Sequence, residues 1–383
     1  MADLAVTHGV AASKSVVTTR PPVALVHDYL SERGGAERVA ISLTRAFPAA
    51  PLYTSVFDRA TYPELDGVDI RPSVLDRIGP LRKRHRVALP LLPVVYGRLR
   101  VDADVVICSS SGWSHGVATD APKIVYCHNP ARWVYQRAEY SKTRKRYWLA
   151  SAVLLPLLKR WDQQAANGCA RYIANSSSVA RRIEEVYGFE AEVLPPPTSL
   201  DVDGEQEPVK GVEPGFVLSI SRLLGYKNID QVTEAFAGLP HERLVVVGDG
   251  PYRPELIASA PSNVMFTGRV TDAELRWLYA NCAALVSASF EDFGLTPVEA
   301  ALFGKPSVLL RAGGFLDTTV EGTTGLFFVE PEPSVIRTAV SETLSANWSP
   351  ELIIKSAERF SQEGFARRLR EIVSDVRGDA KLY

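Results

Sequence analysis

Runs of three to six mostly apolar residues recur along this chain, bounded by polar residues or glycine, and several are separated by stretches of helical spacing. Such runs are too brief for helices; alternating with helical stretches, they suit strands of a parallel sheet covered on both faces. In the first half they are Val23-Ala24-Leu25-Val26-His27, Val105-Val106-Ile107-Cys108, Ile124-Val125-Tyr126-Cys127 and Tyr172-Ile173-Ala174. In the second half they are Phe216-Val217-Leu218-Ser219-Ile220, Leu244-Val245-Val246-Val247, Val264-Met265-Phe266, Ala283-Ala284-Leu285-Val286-Ser287-Ala288 and Ser307-Val308-Leu309-Leu310. Between the two series stand Pro195-Pro196-Pro197 and then residues 201–215, with acids, Gly and Pro and few large apolar side chains, which read as a linker. A length of 383 residues exceeds what one hydrophobic core usually supports. The expectation is an α/β chain of two doubly wound, Rossmann-like domains with a cleft between them, at residues 21–197 and 216–364. A disordered leader at 1–20 precedes them, residues 198–215 join them, and 365–383 form a C-terminal helix.

A formal net charge of −1 with 23% charged residues argues against a general nucleic-acid binder. Cys108, Cys127, Cys169 and Cys282 are far apart and form no C-x-x-C pair, so they read as free, mostly buried thiols in a reducing cytoplasm. Residues 1–20 lack the basic start and apolar block of a secretory signal. The longest apolar run, residues 149–158, contains Pro156 and is well short of the ~20 residues that span a bilayer.

Chemistry in such folds gathers at the carboxyl ends of the strands, where free N–H groups at the next helix start attract anions. After the run ending at Ala288, Glu291 and Glu299 bracket the turn at Gly294, with seven residues between them. Thr296, Pro297 and Glu299 also spell a capping box, and taken alone the cap is the better reading. Past Ile220, Arg222 and Lys227 stand five positions apart; exposed basic residues explain them, but so does a diphosphate, met by a guanidinium fork and a point charge. Gly34-Gly35 opens a helix with Ala36, Ala40, Leu43 and Phe47 on one face, and is either a plain turn or a place where backbone approaches phosphate. His128, Arg132, Trp133 and Tyr135 follow another strand and are either packed or functional.

Together these segments resemble the retaining glycosyltransferases of family 4, which have the GT-B fold. The paired acids, Arg222-x-x-x-x-Lys227 and the Gly34-Gly35 turn match in order and place. Tyr126-Cys127-His128-Asn129-Pro130-Ala131-Arg132 resembles a segment of the family's bacterial surface-polysaccharide mannosyltransferases. The resemblance implies an acceptor-binding first domain, a nucleotide-sugar-binding second domain and a C-terminal helix that returns to the first. It implies that His128 and Glu291 face the donor sugar, that Arg222 and Lys227 grip its pyrophosphate, and that Glu299 meets the ribose. Gly34, Gly35, Arg269 and the backbone of Phe293, Gly294 and Leu295 would complete the donor site, and Arg132, Trp133 and Tyr135 the acceptor site. The activity implied is transfer of a hexose, mannose favoured, from a nucleotide diphosphate sugar, GDP-mannose favoured, to a saccharide or polyprenyl-linked acceptor in cell-surface polysaccharide or glycolipid assembly. No cofactor and no metal is expected. Asp102-Ala103-Asp104 has the D-x-D form of metal-dependent transferases but precedes a strand rather than following one.

Two basic clusters, residues 82–86 and 142–146, adjoin apolar residues and are either solvated faces or contacts to an anionic membrane. The location implied is cytoplasmic, with peripheral contact on the inner face of the plasma membrane. A nucleotide-sugar epimerase of the same fold and a non-catalytic sugar-nucleotide-binding subunit are the alternatives. A two-domain solute-binding protein fits less well, for want of a signal peptide.

Overall fold

The computed structural model describes residues 20–79, 91–136 and 148–378. Residues 1–19 of the expected leader, both basic clusters and the Trp133 side chain lie outside the described residues.

The first-half strands are β1 (Val23–His27), β2 (Leu52–Thr54), β3 (Ile70–Pro72), β4 (Val105–Ser110), β5 (Lys123–Cys127), β6 (Arg171–Ala174) and β7 (Glu192–Val193). They form one parallel sheet in the order β3-β2-β1-β4-β5-β6-β7. The second-half strands are β8 (Val217–Ile220), β9 (Leu244–Val247), β10 (Val264–Gly268), β11 (Ala284–Ser287), β12 (Ser307–Leu310) and β13 (Gly325–Phe328). They form a second parallel sheet in the order β10-β9-β8-β11-β12-β13. Four strands lie outside the apolar runs named above. β2, β3 and β7 are two or three residues long, and β13 opens on a glycine. Such strands are held by pairing to a neighbour more than by their own side chains.

Strand periodicity sorts each sheet's side chains onto two faces. Val105, Ile107, Ile124 and Ile173 enter one core, while Val106, Cys108, Val125 and Ala174 enter the core on the other side. Val217, Val246 and Val286 likewise separate from Leu218, Val245 and Leu285. Val209 and Val212, in the stretch read as linker, are buried in the second sheet's core, so that stretch is packed rather than free.

The helix Gln362–Arg377 carries Phe365, Leu369, Ile372 and Val373 at helical spacing, and all four are buried in a core of the first sheet. Phe365 meets Tyr126 edge to face at 5.6 Å, and the Gln362 and Arg370 side chains each donate to carbonyls of the helix Gly35–Ala46 at 3.0 Å. The chain's last described helix is thus part of its first core.

Strand order reverses between β1 and β4 in the first sheet and between β8 and β11 in the second. Loops leaving the carboxyl ends of neighbouring strands part at such points and leave a crevice. Gly34-Gly35 follows β1, Arg222 and Lys227 follow β8, and Glu291 follows β11.

Leu369→Ala is expected to destabilise the fold by about 2–5 kcal/mol, the usual cost of emptying a packed leucine site. Leu352→Ala, at an exposed position, is expected to change little. Denaturant titration of both variants checks the pair.

Candidate active site

Leaving β8, the chain buries Leu223, makes a tight turn at Gly225–Lys227 and passes through Asn228 with a left-handed φ of 52°. Asn228 Nδ2 donates to Ala288 O at 2.8 Å, tying this loop to the one after β11. Lys227 is only 7% exposed, and its ammonium pairs with Glu291 Oε1. Ser289 Oγ donates to the same oxygen at 2.7 Å and lies 2.9 Å from Ser287 Oγ. Lys227 is therefore not the exposed cation that sequence alone allows. Arg222 is exposed, with one guanidinium nitrogen 3.3 Å from Tyr226 Oη.

The turn after Glu291 is held from the loop beyond β12. Gly314 N–H donates to Glu291 O at 2.9 Å, and a Cβ at Gly313 would stand 2.2 Å from that oxygen. Gly294 precedes the helix Leu295–Leu302 with φ 87°, a conformation that favours glycine. Phe293 is buried against Phe360 at 5.7 Å.

The capping reading of Glu299 fails here. Gly294 is the N-cap, no side chain caps the helix, and Pro297 is the third helical residue rather than the first. The Glu299 carboxylate, in a residue 2% exposed, accepts from Tyr279 Oη at 2.7 Å and from Arg38 Nη1 at 2.6 Å. Arg38 lies on the first helix, Gly35–Ala46, so this ion pair bridges the two halves. A buried charge without such partners would be costly.

A second cross-link centres on Asp292. Its carboxylate accepts from Asn129 Nδ2 and Arg182 Nη1, both at 2.8 Å, and from Arg132 Nη2. Burial by itself would raise the Asp292 pKa, but Arg132 and Arg182 outweigh it and hold the carboxyl below its ordinary range. Ser176 Oγ donates to Asp292 O, and the Ser177 N–H and Oγ donate to Asp317 at 2.9 and 2.6 Å.

His128 closes β5 and is buried. Its Nε2 lies 2.8 Å from Ser109 Oγ, which lies 2.9 Å from His27 Nδ1. Burial lowers His128 to about 3 and His27 to about 4, so both rings are neutral at pH 7 and offer hydrogen bonds rather than charge. Gly34 is extended and a Cβ there would stand 2.5 Å from Glu37 Oε2, whereas a Cβ at Gly35 would meet nothing within 4 Å. These glycines leave space; neither needs a left-handed backbone.

The structure thus joins Lys227 to Glu291 and sets Arg132 on Asp292, the next residue. Other sequence candidates lie apart from these pairs. Arg269 is 86% exposed and 3.8 Å from Asp249, and the Tyr135 hydroxyl donates to Asp162 at 2.8 Å, beside His115. Arg38, Arg182 and Tyr279 carry no motif and were not foreseeable. Asp292 lay inside the acidic turn, but nothing in its neighbours announced two arginine partners. Among the described residues, no cluster of three His, Cys, Asp or Glu side chains is placed to hold a metal ion. Asp102 pairs with Arg20 at 3.0 Å at the opposite, amino end of β4. A cavity of about 400 Å³ lined by Phe57, Asp58, Arg59, Ile70, Pro72 and Asp76 includes none of the candidate residues.

Residues 33–202 match the family model of Glycosyltransferase Family 4, and residues 204–367 match that of Glycosyl transferases group 1. The chain belongs to the GT-B glycosyltransferases of the group 1 and family 4 type. This GT-B chain is 29% identical over 207 residues to the D-rhamnosyltransferase WbpZ of Pseudomonas aeruginosa, covering 49% of this chain and 53% of that protein. It is 31% identical over 121 residues to the alpha-1,3/1,6-mannosyltransferase ALG2 of Dictyostelium discoideum, covering 30% of this chain and 29% of that protein. The matches thus span about half of the first relative's length and less of the second's. Among solved structures, Anabaena HepE in complex with UDP and glucose aligns at a TM-score of 0.68 and 18% identity, covering 93% of this chain and 100% of that one, a likeness of fold.

Asp292→Asn keeps the size of the side chain but removes the charge that strengthens three hydrogen bonds. A loss of about 1–3 kcal/mol is expected at pH 7. Because the folded pKa is depressed, wild-type stability from this group is present above the ordinary carboxylate pKa and is lost as pH falls through the folded value. The gap in melting temperature between wild type and variant should therefore close in acid, and a gap unchanged down to acid unfolding would count against this account.

Proposed function

We propose that this chain is a retaining glycosyltransferase that moves a hexose from a nucleotide diphosphate sugar to a saccharide or lipid-linked saccharide acceptor. The observation that carries the reading is the meeting of Lys227 and Glu291 where the second sheet's strand order reverses, with Arg222 beside them in sequence and Glu299 one helix turn beyond Leu295. Breaking a sugar–phosphate bond builds negative charge on the diphosphate and positive character on the sugar. Arg222 and Lys227 would stabilise the first, aided by N–H groups at the start of the helix Leu295–Leu302, and Glu291 would hold sugar hydroxyls. Glu299 would accept ribose hydroxyls alongside Tyr279 and Arg38. His128, neutral at pH 7, would offer a hydrogen bond to the transferring sugar. Arg132, which also pairs with Asp292, would meet the acceptor. Mannose from GDP-mannose is the favoured donor on the Cys127-His128-Asn129-Pro130 segment. The names of WbpZ and ALG2 support a glycosyl donor without choosing among sugars. Incubation with GDP-mannose, UDP-glucose and dTDP-glucose, following nucleoside diphosphate release, tests the reading; release from none of them in the presence of polyprenyl-linked saccharides would count against it.

Peripheral membrane contact belongs to the same proposal. Val74, Ile78, Leu91 and Val94 are exposed and flank the basic residues 82–86 in sequence, and no described helix is long and apolar enough to cross a membrane. Basic and apolar side chains together suit an anionic surface, at ~1 kcal/mol per basic residue near it. Neutralising Arg82, Lys83, Arg84 and Arg86 together should weaken sedimentation with anionic vesicles at low salt, and wild-type binding should fade as salt rises.

Glu299→Gln keeps one acceptor oxygen for Tyr279 but loses the charge and the second oxygen. Nucleotide-sugar affinity is expected to fall by ~1 to 3 kcal/mol, about 5- to 150-fold. Isothermal titration with the active donor checks it. An affinity equal to wild type would take Glu299 out of the nucleotide site.

A further inference from the structure

Glu37 is the third residue of the helix Gly35–Ala46 and the first charged side chain after the glycine pair. It is 7% exposed, and its Oε2 lies 2.5 Å from where a Cβ on Gly34 would be, so it turns back over the extended glycine. The one hydrogen bond to its carboxyl comes from its own backbone N–H; among the described residues no other side chain bonds to it. Arg38, its neighbour, is committed to Glu299, whereas Glu37 is left as a buried acid without an ionic partner in contact. Burial raises its pKa to about 7, against the pull of its own N–H and of Arg222 in the second domain. Asp28 and Glu32, in the loop after β1, push in the same direction as burial, and Tyr62 also feels the Glu37 charge.

We propose that Glu37 is a proton-coupled ligand of the donor: as the diphosphate settles beside Arg222, the carboxylate takes one proton from solvent and donates the resulting O–H to a phosphate oxygen. This rests on the reading that Arg222 and Lys227 hold the nucleotide diphosphate. An arriving anion shares Arg222 and adds like charge beside a carboxyl that has no other partner, and both effects favour the neutral acid. The neutral acid then becomes what the site lacks at this position, a donor rather than an acceptor, and hydrogen bonds to charged acceptors are the strong ones. When the sugar–phosphate bond breaks and its electron pair stays on the phosphate oxygen, that donor faces growing charge without giving up its proton.

The sign of the pH dependence follows. Below pH 7 the free carboxyl is already protonated, so binding takes up little; above it, each site must gain a proton, and affinity should fall by up to about tenfold per pH unit. Both phosphates of a nucleotide sugar are esterified, so it lacks the phosphate ionisation near pH 6 that would confuse the measurement.

The test is isothermal titration of the full chain with GDP-mannose and UDP-glucose, at pH 6 and pH 8, each in two buffers of different ionisation enthalpy. Wild type should take up close to one proton per site at pH 8 and little at pH 6. Glu37→Gln, which keeps a donor and cannot titrate, should bind with pH-independent affinity and no Glu37-linked uptake. Its melting curve shows whether it is folded. Binding that requires Lys227, judged by Lys227→Ala, but shows no proton uptake in wild type, or equal uptake in Glu37→Gln, overturns the role of Glu37 alone. Absence of binding by both probes, or binding untouched by Lys227→Ala, overturns the diphosphate site and this proposal with it.

Discussion

A carboxylate buried between two domains must be matched by donors or be expelled, and Asp292 is matched by Asn129, Arg132 and Arg182, all from the other half of the chain. Because Asp292 directly follows Glu291, what holds the halves together also sets the direction of the acid that pairs with Lys227. The glycines at 313 and 314 press on the same turn from behind, where even one added methyl would collide with backbone. Site and interface are therefore one construction, and a change in how the halves sit is felt at Glu291 within a single residue.

Parallel pairing explains why the rest converges. With every strand of a sheet running the same way, all of its following loops emerge at one edge, and only the point of order reversal leaves them unfilled. Gly34-Gly35, Arg222 to Lys227 and Glu291 to Gly294 each sit at such a point. The two-sided burial of each sheet made most of its strands readable as apolar runs, while β2, β3 and β7 escaped notice because strands of two or three residues are too short to show a run, whether inside the sheet like β2 or at its edges like β3 and β7.

Legibility of the site followed the same division. Residues within a local pattern, Glu291 with Gly294 on one loop and Arg222 with Lys227 on another, could be singled out by their spacing, although the Lys227–Glu291 pair itself joins residues 64 positions apart. Arg38, Tyr279 and Arg182 could not, since their roles arise from partners 20 or more residues away. Glu299 is the instructive middle case. Its local spacing truly matches a helix cap, but Gly294 takes the cap position and the carboxylate turns to a tyrosine and to an arginine from the other domain, a competition that no local pattern can weigh.

The helix Gln362–Arg377 fills a core whose strands end at Val193. During synthesis, the first sheet would leave the ribosome with Tyr126 and its neighbours uncovered, and the helix that seals them would arrive on the order of ten seconds later. The strands of the second sheet can pair in that interval, but the first core cannot close. Until residues 362–377 have emerged, the growing chain displays an apolar face of the kind that chaperones bind, and a ribosome stalled before them in the second half would release a protein with an unfinished first domain.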